Sequence, residues 1–122
     1  MFGDIATDLA SVLQGGMGMA GSGNIGDDHA FFEPVHGSAP KYAGMNKVNP
    51  IASINSIQMM MEWLGRKNNS QDILDIATAI ETSVSAHLAE GKHLTYDLGG
   101  NATCSMVGDL ISRRLADTLS EN

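Results

Sequence analysis

Cysteine, proline, aromatic residues and positive charge are all scarce in this chain. One cysteine, Cys104, stands among 122 residues, so no disulfide can form within the chain. With no secretory leader at the N-terminus, it reads as a reduced, cytoplasmic protein. The Asn-x-Ser/Thr triplets at Asn68 and Asn101 are then chance matches. No apolar run spans a bilayer; the segment from Ile57 to Leu64 is interrupted by Gln58 and Glu62, which excludes a helical membrane protein. Seven basic against fourteen acidic side chains leave a formal charge of -7 and no run of Lys or Arg beyond two residues. A nucleic-acid surface needs concentrated positive charge, so that class is excluded too. An anionic cofactor remains possible where a few donors and cations converge locally.

What the chain does have is glycine, unevenly placed. Seven of its fourteen glycines fall in the first 26 residues, whereas the stretch from Asn49 to Glu90 contains only Gly65. The front therefore reads as loop-rich and the middle as helical. Ile5, Leu9, Val12 and Leu13 recur at helical spacing, and Gly15-Gly16 ends that helix. Met17 to Ala20 alternates as a weak strand. Phe31, Phe32 and Val35 form a second strand-like patch that Pro34 confines to a sheet edge or a strand end.

Residues 36–49 (HGSAPKYAGMNKVN) lack apolar periodicity and read as an ordered loop of functional length. Asn49 and Pro50 then open a helix with a stripe of Ile54, Ile57, Met61 and Leu64 that Gly65 stops. A second helix runs from a Ser70 cap to Gly91 on Ile73, Ile76, Ala77, Ile80, Val84 and Leu88. Thr103 caps a third, with Val107, Leu110, Ile111, Leu115 and Leu119 on its apolar face. The predicted class is α/β: strands and an ordered loop followed by three helices. No internal repeat is present.

Three groups of residues invite a chemical reading. Gly21-Ser-Gly23-Asn-Ile-Gly26 satisfies the dinucleotide fingerprint, but that pattern works only when its third glycine opens a helix facing the pyrophosphate. Here Asp27, Asp28 and a strand-like patch come next, so the match reads as a strand connection. Asp4 and Asp8, four apart on a helix, project from one face and suit a hard divalent cation, although such pairs are also ordinary on solvated faces. In the 36–49 loop, Gly37, Ser38 and Ala39 allow close approach of backbone donors to an anion. Lys41 adds a point charge and Tyr42 a hydroxyl beside it. His29, His87 and His93 have no ligand spacing and read as surface or satisfied core residues, and Met59-Met60-Met61 as core packing.

The order of these pieces is more specific than any one of them. Phe2-Gly3-Asp4-Ile5-x-x-Asp8, Gly15-Gly16-Met17-Gly18, Asn24-Ile25-Gly26-Asp27, Glu33-Pro34-Val35-His36-Gly37-Ser38-Ala39-Pro40, Asn49-Pro50 and Tyr96-Asp97-Leu98-Gly99-Gly100 succeed one another. This succession closely resembles the metal-dependent, β-decarboxylating isocitrate and isopropylmalate dehydrogenase family, over essentially the whole chain. The resemblance is to the C-terminal third of a family subunit. It implies a helix from the small metal-bearing domain at 1–14 and the C-terminal portion of the large cofactor-binding domain at 15–122.

By that resemblance Asp4 and Asp8 match metal ligands for Mg2+ or Mn2+, completed by a carboxylate of a partner subunit. His36, Gly37, Ser38 and Ala39 match the cofactor loop, and Asn49 the residue beside the adenine. Lys41 and Tyr42 match the pair that contacts the 2′-phosphate in NADP-dependent isocitrate dehydrogenases, with Tyr96 a further contact. NAD-dependent members carry an acidic and an aliphatic residue at the Lys41 and Tyr42 positions, so NADP is expected over NAD. An ammonium and a phenol attract the 2′-phosphate that a carboxylate repels. Against tight discrimination, the arginine that some NADP enzymes place four residues after the tyrosine is Gly100 here. The family's substrate-binding serine and arginines, its catalytic tyrosine and lysine and its third metal carboxylate have no counterpart in these residues. The expectation is a truncated or partial isocitrate dehydrogenase, inactive alone, whose unpaired strand edges favour a homo-oligomer or a complementary fragment. Two alternatives stand beside it: a non-enzymatic, self-associating α/β module, and an NAD-dependent isopropylmalate or homoisocitrate dehydrogenase fragment.

Overall fold

The fold is taken from a computed structural model that describes residues 15–121. The helix expected at 1–14, with Asp4 and Asp8, lies outside the described residues. Two strands, β1 (Gly21–Ile25) and β2 (Ala30–Pro34), pair antiparallel and are followed by a long loop. Three helices come next: α1 (Ile51–Lys67), α2 (Gln71–Glu90) and α3 (Cys104–Ser120). This is the expected α/β order. No helix among the described residues is long and apolar enough to cross a membrane.

The hairpin explains the glycine-rich match. Gly21 and Gly23 sit on β1 opposite Pro34 and Phe32, and the Gly26 N–H donates to His29 O at 2.9 Å to close the turn. Gly26 therefore opens no helix. The two strand glycines let α1 approach closely: a Cβ on Gly21 would lie 3.0 Å from Ser56 N, and one on Gly23 3.4 Å from Met59 Cε. Phe32, on the same face as Gly23, meets Trp63 with ring centroids 6.2 Å apart. Phe31 points the other way and is exposed.

The core gathers Ile51, Val84, Ala102, Val107 and Ile111, with Met19, Ile54 and Leu88 packed against it. Each fully buried branched side chain there contributes about 1.5–3 kcal/mol. This cluster lies directly behind the end of the long loop, since Ile51 follows Asn49-Pro50. The loop is thereby anchored to the best-packed part of the molecule.

Three expectations about local structure are corrected. Met17 to Ala20 is not a strand: Met17–Met19 forms a 3-10 turn in which Met19 N–H donates to Gly16 O at 3.2 Å. The turn directs Met19 to the core, and pairing starts only where Val35 N–H meets Ala20 O at 3.0 Å. On α1 the helical period is right but its phase is rotated. Ile57 is 49% exposed, whereas Ala52 and Ser56 are buried, because the hairpin glycines cover the Ser56–Met59 flank. Ser56 satisfies its buried hydroxyl by donating to Ala52 O at 2.8 Å. Finally, Gly65 does not stop α1. It is buried within the helix at the crossing with α2, where a Cβ would lie 2.8 Å from Leu74 Cγ and Cδ2.

Two other ends fall as expected. Gly91, at φ 66°, closes α2 in the left-handed conformation. The Thr103 Oγ1 accepts from Met106 N–H at 3.2 Å at the start of α3. His87 departs from expectation: it is 1% exposed, and among the described residues its Nε2 has no hydrogen-bond partner. Burial, with the Arg114 charge second, holds its pKa below the ordinary imidazole value.

Candidate cofactor cleft

After β2 the chain needs a turn that no regular element supplies, and the sequence provides it through residues tolerant of unusual backbone. Ala39 adopts the left-handed conformation (φ 45°, ψ 56°), and Pro40–Tyr42 forms a 3-10 turn. Proline presets the backbone of such a first turn and has no N–H to leave unpaired. Tyr42 N–H donates to Ala39 O at 2.9 Å and Met45 N–H to Tyr42 O at 3.1 Å, so the loop is ordered by its own backbone.

The loop is then tied down twice. Asn46, at φ 52°, accepts from the Cys104 N–H through its carbonyl at 2.9 Å and from the Ser105 N–H through Oδ1 at 2.9 Å. Its Nδ2 donates to Ser105 Oγ at 2.8 Å. The first turn of α3 has N–H groups with no helical partner, and Asn46 satisfies two of them. Asn49 is the second tie: its Oδ1 accepts from Ile51 N–H at 3.0 Å, and its Nδ2 donates to Asp97 Oδ2 at 3.0 Å. The same carboxylate accepts from Thr95 Oγ1 at 2.5 Å.

These ties bring two remote segments face to face. A cleft of ≈ 350 Å³ is lined by residues 36–39, Val48, Asn49, Tyr96 and Asp97, with Met17 and Gly18. A Cβ on Gly18 would lie 2.7 Å from Asp97 Oδ2, so any larger residue there would displace the Asp97 carboxylate. A Cβ on Gly37, in contrast, would meet nothing within 4 Å, which leaves its backbone open to a ligand. His36 Nδ1 lies 2.8 Å from Gly37 O; a carbonyl only accepts, so the ring donates from Nδ1.

At one side of the cleft stands the cationic group. Tyr42 and Tyr96 approach with ring centroids 5.5 Å apart. Lys41 Nζ lies 4.9 Å from the Tyr42 centroid, and Lys47 Nζ lies 5.5 Å from Tyr42 and 4.7 Å from Tyr96. The Tyr96 hydroxyl, hydrogen-bonding to Tyr42, holds the Tyr42 phenol below its ordinary pKa, assisted by Lys41 and then by the Lys47 charge. The same hydrogen bond raises Tyr96.

A family model described as isocitrate/isopropylmalate dehydrogenase matches residues 1–111. The chain belongs to that family. It is 43% identical over 122 residues to a mitochondrial NAD isocitrate dehydrogenase regulatory subunit from Dictyostelium discoideum, covering 99% of this chain and 32% of that relative. It is 47% identical over 111 residues to the homoisocitrate dehydrogenase of Methanocaldococcus jannaschii, covering 91% of this chain and 30% of that one. Among solved structures, isocitrate dehydrogenase from Methylococcus capsulatus superposes with TM-score 0.83 at 38% identity, covering 94% of this chain and 32% of that chain. The chain thus spans about a third of the length of these isocitrate/isopropylmalate dehydrogenase relatives.

Every expected cofactor-site residue lies at this cleft or on its rim: His36, Gly37, Ser38, Ala39, Asn49 and Tyr96 line it, Tyr42 packs against Tyr96, and the Lys41 ammonium lies over Tyr42. Asp4 and Asp8 lie outside the described residues, and among the described residues no three His, Cys, Asp or Glu side chains converge on a metal position. Sequence reasoning missed Lys47, Asn46 and Asp97. Tyr96 is remote in sequence from Lys47, so no spacing could join them, although Asp97 lies within the Tyr96-to-Gly100 motif.

Gly100 gains a physical explanation. A Cβ there would collide with Leu94 O and lie 2.5 Å from Leu94 C, so this backbone admits no side chain at that position. The arginine of some NADP enzymes is sterically excluded here.

Proposed function

We propose that this chain supplies the adenosine side of the NADP pocket of an isocitrate dehydrogenase, as the C-terminal part of that fold. The observation that carries the reading is the pair of ammonium groups, Lys41 and Lys47, flanking the Tyr42–Tyr96 ring pair at the cleft edge. A chain of net charge -7 has gathered two cations and two hydroxyls at one point, which suits the ribose 2′-phosphate. The cleft fits the rest of an adenosine: Gly37 offers unhindered backbone and Val48 an apolar contact, while Asn49 fixes the loop.

The wider activity is part of the same proposal. In the intact assembly the reaction is the oxidative decarboxylation of isocitrate to 2-oxoglutarate. Bound NADP supplies a hydride acceptor, and Mg2+ or Mn2+ supplies Lewis-acid charge at the substrate oxygens. This chain's own residues bind and orient the cofactor's adenosine end, and Asp4 and Asp8 contribute carboxylates to the metal. Alone it lacks the substrate-binding groups and is inactive. It acts in the cytoplasm with a second copy or a complementary fragment that covers the exposed Ile25 and Phe31 of the hairpin.

A second reading, an NAD-dependent isocitrate or homoisocitrate enzyme, is favoured by the side-chain-free Gly100 and by the names of the relatives. Calorimetric titration of the chain with NADP and with NAD separates the two. Tighter binding of NADP supports the proposal; equal binding or a preference for NAD overturns it in favour of the second reading.

A further inference from the structure

Lys47 is one of the two ammonium groups on which the NADP reading stands, and the backbone around it is tied down on both sides. The residue before it, Asn46, is held to the first turn of α3 by three hydrogen bonds, through its carbonyl, Oδ1 and Nδ2. Two residues after it, Asn49 is pinned to Ile51 and Asp97. The Lys47 backbone is therefore clamped on both sides, and its ammonium lies over Tyr96 at 4.7 Å and Tyr42 at 5.5 Å. Among the described residues neither Lys41 nor Lys47 forms an ion pair. The nearby carboxylate of Asp97 is already occupied by Asn49 and Thr95.

We propose that Lys47, pre-positioned by Asn46, is a second specificity-determining cation for the 2′-phosphate, acting with Lys41 at the Tyr42–Tyr96 pair. This rests on the NADP reading of the cleft and extends it to a residue and a clamp. A dianion near two ammoniums gains from both, whereas a ribose hydroxyl in the same place gains little from either. The clamp keeps the lysine from losing much freedom on binding, which is where a surface lysine ordinarily forfeits its contribution. The Tyr rings hold the ammonium in the absence of phosphate by cation–π attraction and release it to the stronger anion.

The test uses the 122-residue chain and two probes that differ by one group, adenosine 2′,5′-bisphosphate and 5′-AMP, titrated calorimetrically at two salt concentrations. The parent chain should prefer the bisphosphate. Lys47→Met should weaken bisphosphate binding by about tenfold, leave 5′-AMP binding unchanged and flatten the salt dependence, while Lys47→Arg should retain most of the preference. A Lys47→Met chain with an unchanged bisphosphate-to-AMP ratio overturns the role of Lys47 alone, because the parent's preference would still stand. A parent chain with no preference overturns the NADP reading, and the role of Lys47 with it.

Discussion

Gly100→Ala tests the backbone that shapes the cleft. The new Cβ would collide with Leu94 O and lie 2.5 Å from Leu94 C and 2.9 Å from Leu94 Cβ. The first two are backbone atoms and cannot rotate aside as a side chain could. The segments must separate by about an ångström to reach ordinary contact. Two hydrogen bonds hold them together: Gly100 N–H to Thr95 O at 3.0 Å and Ala102 N–H to Leu94 O at 2.9 Å. Losing one or both costs about 1 kcal/mol each. Overpacking adds about 1–3 kcal/mol. The expected total is about 3 kcal/mol, a fall in Tm of about 10 °C for a domain of this size. Gly99→Ala is the control: its Cβ meets nothing within 4 Å, so only the left-handed backbone at φ 82° is penalised, by about 1 kcal/mol. Urea unfolding followed by circular dichroism and by Trp63 fluorescence reads both variants. A Gly100→Ala chain within about 0.5 kcal/mol of the parent, or no worse than Gly99→Ala, refutes the steric reasoning.

Three further outcomes are expected from the same contacts. Asn49→Ala removes the acceptor for Ile51 N–H and a donor to Asp97, and should cost about 2 kcal/mol in urea unfolding while weakening adenine-nucleotide binding. His87 is buried, with Arg114 and His93 near it, and its pKa is lowered chiefly by burial and then by the Arg114 charge. The unfolded chain therefore takes up a proton at His87 before the folded one does. Stability is full above the unfolded value near 6.5 and is lost as pH falls through the lower folded value. Denaturation midpoints measured down a pH series should show this slope, and His87→Leu should make it shallower. With two tyrosines in the chain, phenolate absorbance should resolve one phenol ionising early and one late. Tyr96→Phe should move the remaining Tyr42 transition upward; an unmoved transition contradicts the hydrogen bond.

How far the sequence disclosed this structure depends on the range of the cause. The end of α2 was legible because Gly91 acts on its own neighbours by taking the left-handed backbone, and its start because Ser70 leaves the helix in extended backbone, although its side chain makes no cap bond; the helical period of α1 was legible for the same local reason. The phase of α1 was not, because it is set by Gly21 and Gly23 of the hairpin. Gly65 read as a stop, yet at the α1–α2 crossing its missing side chain makes room for Leu74. The glycine-rich match at residues 21–26 could be discounted from Asp27, Asp28 and Pro34, its near neighbours in sequence. In the cleft, residues 36–49 were legible as one loop, and Tyr96 came from the family resemblance. The pairing of Lys47 with Tyr96 and of Asn46 with Ser105 joins segments remote in sequence, which neither periodicity nor motif spacing encodes.

If the 36–49 loop and the Tyr96 turn together form the adenosine site of an NADP-type pocket, NADP must perturb the backbone of both segments. Chemical-shift mapping of the backbone amides during titration with NADP tests it most directly. The perturbed amides should cluster at Gly37, Ser38, Lys47, Asn49 and Tyr96. No perturbation, or changes centred instead on the hairpin or on the α2–α3 contact, would contradict it.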